Sequence, residues 1–100
     1  MINFEKIDGF DWDGGNIDKN LIKHNVTCQE AEEIFLDTES FNYDDKKHSV
    51  SEERLIKIGR SFSGRILVAY YTVRKNKIRI ISVRDVDKKE KNLYLHSIYI

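Results

Sequence analysis

The residues best able to do chemistry in this chain are cations set among its strongest apolar alternation. Residues 64–84, GRILVAYYTVRKNKIRIISVR, read as two strands joined by a short polar turn and ending in Arg84. Arg60 and Arg65 flank the preceding turn, Arg54 and Arg79 lie on the strands, and Lys88 and Lys91 follow. Lys and Arg clustered on β-strands make a positive face that attracts phosphate and releases its counterions. Cys28 is the single cysteine and the three histidines, His24, His48 and His96, are scattered. No disulfide, metal site or cofactor is therefore expected, and Cys28 reads as a buried, inert thiol.

The chain's charge hides this basic region. Lys and Arg number 17 and Asp and Glu 17, for a net charge of zero. Residues 1–53 nevertheless carry 5 basic against 14 acidic residues, and residues 54–91 carry 12 against 3. Either the basic half faces a polyanion, or the two halves neutralise each other across the fold. The 100 residues fit a single domain, 1–100, with one core. No apolar run reaches the roughly 18 residues of a membrane span. The start MINFEKIDGF lacks a signal pattern, so a cytoplasmic protein is expected.

The elements that must hold these cations follow in order. Phe4, Phe10 and Trp12 suggest a short edge strand, broken at Gly14 and Gly15. Ile17, Leu21 and His24 fall on one stripe of a helix that stops at Asn25, a residue suited to a left-handed cap, and His24 reads as a core or capping residue. Thr27 and Glu30 form a capping box for a second helix, with Val26 stapled to Ala31 and with Ala31, Ile34 and Phe35 buried. Residues 38–43 can add a strand, and 44–51 read as an exposed loop. Asp87 and Glu90 open the last helix, in which Glu90 and Tyr94 share a side and Leu93 and Leu95 are partly buried.

Turn chemistry sets the expected register. Phe62–Ser63 as a two-residue turn would pair Ile58 with Leu67, and Lys75–Asn76 would pair Tyr71 with Ile80. Arg54, Ile56, Ile58, Leu67, Ala69, Tyr71, Ile80, Ser82 and Arg84 then share one face. Val68, Tyr70, Thr72, Arg79, Ile81 and Val83 take the other with Glu53, Leu55 and Lys57. Both faces are mostly apolar, so both should be covered. Glu53, Thr72 and Arg79 form one cross-strand row, in which an ion pair accounts for Arg79.

The order of these motifs resembles the BrnT family of type II toxins. The matching residues are Phe10-Asp11-Trp12-Asp13, Asn20-Leu21-Ile22-Lys23-His24 with Val26, Ala31 and Phe35, Glu53-Arg54, Ile58-Gly59-Arg60, Gly64-Arg65, Thr72, Arg79 to Arg84, and Glu90 with Tyr94. The resemblance implies a RelE-like α+β fold: an antiparallel sheet of about four strands, two N-terminal helices and a C-terminal helix. It also implies RNA cleavage that stops translation, and inhibition by a BrnA-like antitoxin whose ribbon-helix-helix domain supplies any contact with DNA. The chain departs from the family in Asp85 after Arg84, in Asn25 for glycine, and in Lys91 for an arginine, which keeps the charge but loses the forked donor set.

Under that resemblance the fitting reaction is metal-independent attack by the RNA 2′-hydroxyl, which needs a base, cations for the phosphate and an acid for the leaving oxygen. Arg84 and Arg54 are expected to stabilise the phosphate, with Glu53, Glu90 or Tyr94 handling the proton. Arg65 and Lys91, together with Arg60, Arg79 and Lys88, would hold the RNA backbone, all of them converging on one cationic hollow. For Glu53 and Arg54 a strand ion pair is the competing account, and for Tyr94 a half-buried helix anchor. A binding module without chemistry, and an interaction protein whose charge halves merely pair, are the other classes of function.

Overall fold

The computed structural model describes residues 4–17 and 23–99. Its centre is a four-stranded antiparallel sheet in sequential order: β1 (Phe41–Asp44), β2 (Leu55–Arg60), β3 (Ile66–Arg74) and β4 (Lys77–Asp85). Two α-helices are described, α1 (Cys28–Glu33) and α2 (Lys88–Tyr99), so the class is α+β. A 3-10 turn, Ile34–Leu36, continues α1. The first expected helix runs mainly through residues 18–22, outside the described residues; Ile17, Lys23 and His24 are helical and Asn25 takes φ +53°.

Both apolar faces of the sheet are covered, as their composition demands. Val26, Ala31 and Ile34 on the α1 side pack with Leu55, Leu67, Ala69, Tyr71, Ile78, Ile80 and Val83. On the other side Tyr94 of α2 meets Ile56, Ile58 and Val68. Each fully buried aliphatic side chain contributes about 1.5–3 kcal/mol relative to exposure.

Two turns decide which residues face which layer. Lys75 and Asn76 both take positive φ, +51° and +65°, which is the tight hairpin expected there. The β2–β3 turn is one residue longer than expected. It spans Phe62, Ser63 and Gly64, closed by Ser61 N–H to Arg65 O at 2.9 Å, with Gly64 at φ +91°, open to glycine without strain. Ile58 therefore pairs with Val68 rather than Leu67. A bulge then corrects the parity within β4: Tyr70 pairs with Ser82 and Tyr71 with Ile80, leaving Ile81 as the extra residue. Ile80 faces α1, whereas Ser82 and Arg84 face α2 beside Tyr70 and Val68.

Two further expectations are corrected. The N-terminal aromatic segment is a 3-10 turn (Phe4–Lys6) followed by irregular chain along the free edge of β4, touching it as a parallel bridge from Phe10 to Ile78. Asp11 N–H donates to Ile78 O at 2.7 Å and Ile78 N–H to Gly9 O at 2.9 Å, so the strand edge is occupied. Residues 44–51 are mostly exposed, as expected, with Asp45 buried and Ser49 Oγ bridging the carbonyls of Asp45 and Arg54. Cys28 is half-buried rather than buried.

Candidate active site

Arg84 reaches α2 because the bulge turns it there, and the start of α2 is built to receive it. Asp87 caps the helix reciprocally with Glu90: Glu90 N–H donates to Asp87 Oδ1 at 2.8 Å, and Asp87 N–H to Glu90 Oε1 at 2.9 Å. The same Glu90 carboxylate takes both terminal nitrogens of Arg84, at 2.8 and 2.9 Å. This fork-to-fork pair is two-thirds enclosed, the side chains being 31% and 10% exposed. The hydrogen bonds to Glu90 raise the Arg84 pKa further, so the guanidinium is permanently charged. Lys88, Lys89 and Lys91 stand exposed in the first turn of α2, where the pair itself is electrically neutral.

Two residues that sequence reasoning did not select complete this cluster. Arg84 Nη2 donates to the Tyr70 hydroxyl at 3.4 Å, with its guanidinium carbon 5.9 Å from the Tyr70 ring centre. Tyr43 of β1 lies close by: burial first, then the fields of Tyr70 and Glu90, raise its pKa. The signal that could have found them is the apolar doublet Ile80–Ile81 followed by Val83, which breaks strict alternation and marks the bulge.

The other expected residues do not join Arg84 in one hollow, which corrects that expectation. Arg65 spends all five N–H groups on Asp85, on Glu30 and on the carbonyls of His24 and Asn25. Arg79 is held by Asp13 at 3.0 Å, an ion pair formed outside the cross-strand row in which one was expected. Arg60 lies over the Tyr94 ring, 5.7 Å from its centre, at the far end of β2. Arg54 precedes β2, four residues from the Ile58 that shares Arg84's row, which is roughly 13 Å along the strand. Its Nε is buried without a hydrogen-bond partner among the described residues. Glu53 is exposed and its carbonyl accepts from Thr72 Oγ1 at 2.7 Å.

Tyr94 sits one turn beyond Glu90 on α2, yet in different surroundings. Its hydroxyl donates to Asp37 Oδ2 at 2.6 Å. Burial and that hydrogen bond push the phenol up to about 12. Asp37 is held below the usual carboxylate range: burial opposes this, but the Tyr94 O–H and the Arg60 and Glu39 N–H groups outweigh it. As placed, Tyr94 is a hydrogen-bond donor that ties α2 to Asp37.

An α+β domain presenting a sheet-borne arginine clamped to a helix-start glutamate is the class this geometry defines. The family model for the ribonuclease toxin BrnT of type II toxin-antitoxin systems matches residues 12–90, and the chain belongs to that family. The match ends on Glu90, so it takes in the Arg84–Glu90 pair and leaves Tyr94 outside. A type II toxin implies a protein antitoxin as partner and RNA as substrate. No individually curated protein matches the chain.

Proposed function

We propose that this chain is a RelE-like ribonuclease toxin acting in the cytoplasm, which cleaves RNA at the Arg84–Glu90 pair and so inhibits translation. The observation that carries the reading is that bidentate pair, fixed at the capped start of α2 beside three exposed lysines. Glu90 uses three of roughly four lone-pair sites, and the remaining one, on Oε2, takes the 2′-hydroxyl proton. The 2′ oxygen attacks phosphorus and the 5′ oxygen leaves with a proton from water, giving a 2′,3′-cyclic phosphate and a 5′-hydroxyl. Arg84 stabilises the charge that develops on the phosphate, and Arg54, expected as a second cation, lies too far along β2 to share it. Lys88 and Lys91 hold the flanking backbone. The scheme as proposed uses no metal.

The partner of this reading is a BrnA-like antitoxin that covers Arg84 with an acidic or amphipathic segment, ordered on binding. Replacing Arg84 by Ala is expected to abolish cleavage of a labelled RNA, with circular dichroism unchanged. Wild-type cleavage should persist in EDTA. Undiminished cleavage by Arg84→Ala would remove the pair from the mechanism.

One observation favours a second reading, an RNA- or protein-binding module without chemistry. Arg84, Arg65 and Arg79 each sit on a carboxylate, which lowers the positive potential a phosphate would meet. That reading predicts salt-sensitive RNA binding by the wild type with no cleavage product.

A further inference from the structure

Tyr43, Ile56, Tyr70 and Ser82 form one cross-strand row on the α2 face, next to the row that carries Arg84. The two tyrosines are two strand spacings apart, roughly 10 Å. Both are half-buried, one side of each packed on the cluster of Ile56, Ile58 and Val68. Phe41 backs Tyr43, with ring centres 5.6 Å apart. Their burial is therefore incomplete at the place where the guanidinium also emerges.

We propose that Tyr43 and Tyr70 are base-stacking platforms that make the Arg84 site selective for single-stranded RNA. This rests on the ribonuclease reading and names its substrate class. Aromatic rings presented by a sheet face stack unpaired bases, and each such contact strengthens binding by about fivefold to a hundredfold. Bases of a duplex are already stacked on each other and cannot lie on these rings. A base on Tyr70 carries its own phosphate into the reach of Arg84, whose Nη2 is 3.4 Å from the Tyr70 hydroxyl. The ring, not the hydroxyl, supplies the affinity.

The test measures binding of a short single-stranded oligoribonucleotide methylated at every 2′ oxygen, which can stack but cannot be cut, and of its duplex. Wild type binds the single strand more tightly than the duplex, and Tyr70→Phe binds it equally well. Tyr70→Ala and Tyr43→Ala each weaken it roughly tenfold. Tyr70→Leu, which keeps the apolar packing, weakens it as Tyr70→Ala does. Equal affinity for the duplex, full affinity in Tyr70→Leu, or no binding by the wild type overturns the proposal. Unmodified RNA separates it from the reading on which it rests. Ring-dependent binding with no cleavage keeps the platforms and removes the ribonuclease; cleavage indifferent to both tyrosines does the reverse.

Discussion

The Tyr94 hydroxyl ends 2.6 Å from Asp37 Oδ2, and that contact sets both what the residue can do and how it responds to pH. A phenol that titrates near 12 is protonated throughout the working range and cannot take a proton from a ribose hydroxyl. Tyr71, under the α1 layer, is likewise pushed up to about 12 by burial. An unfolded tyrosine loses its proton near 10, before the folded one does, so stability is complete below about pH 10 and declines as pH rises toward 12. Replacing Tyr94 by Phe removes one of these groups and the hydrogen bond with it. The variant is expected to lose about 1–2 kcal/mol near neutral pH. Its unfolding free energy in urea should then fall less steeply than that of the wild type at alkaline pH. Parallel curves would mean that the phenol and Asp37 are not coupled in solution.

Strand β2 bears directly on the 3-10 turn after α1, and a missing side chain makes the approach possible. A Cβ at Gly59 would lie 2.8 Å from Ile34 O and 2.9 Å from Ile34 Cβ, closer than real contacts allow. Since Ile34 is fully buried and the clash is partly with backbone, neither side can yield cheaply. Gly59→Ala is expected to destabilise by about 1–3 kcal/mol, seen as a lower urea midpoint with unchanged slope. An unchanged midpoint would mean that this contact is looser than described. The elements around it were largely readable from sequence: the alternation marks β2 to β4, Lys75–Asn76 marks a tight turn, and Asp87 with Glu90 marks the start of α2. Register was readable beside Lys75–Asn76, where Tyr71 pairs with Ile80 as expected, but not beyond it, for a physical reason. A strand with one wet face announces its parity, but here both faces are apolar, so the Gly64 turn leaves little trace in the pattern and the bulge only the Ile80–Ile81 doublet. Two one-residue shifts thus left Arg84 correctly beside Ile58 while hiding Tyr70, and with it half of the candidate site.

At the scale of the molecule, the acidic first half and the basic second half close on each other. Glu30 meets Arg65, Glu52 meets Arg74, Asp8 meets Lys77, and Asp11 and Asp13 meet Arg79. The polarity seen in the sequence is thus spent largely within the fold, leaving Lys88, Lys89 and Lys91 as exposed cations beside the site. The arginines hold their partners below the usual carboxylate range: Asp13 through Arg79, Glu52 through Arg74 and, within the basic half, Asp85 through Arg65. Depressed carboxylates stabilise the fold above their unfolded pKa and lose that contribution as pH falls through the lower folded value. Stability is therefore expected to hold down to about pH 4 and to decline below it. Salt separates the contributors, because screening at 1 M acts over roughly 3 Å and reaches exposed ion pairs first. Asp37 is held low by hydrogen bonds from Tyr94, Arg60 and Glu39 against the cost of its burial, and salt leaves most of that share in place. Urea unfolding across the acid range should show a shallower decline in concentrated NaCl than in dilute buffer. An acid decline that salt does not alter would assign it to the Asp37 contact and leave the pairing of the two halves without measurable weight.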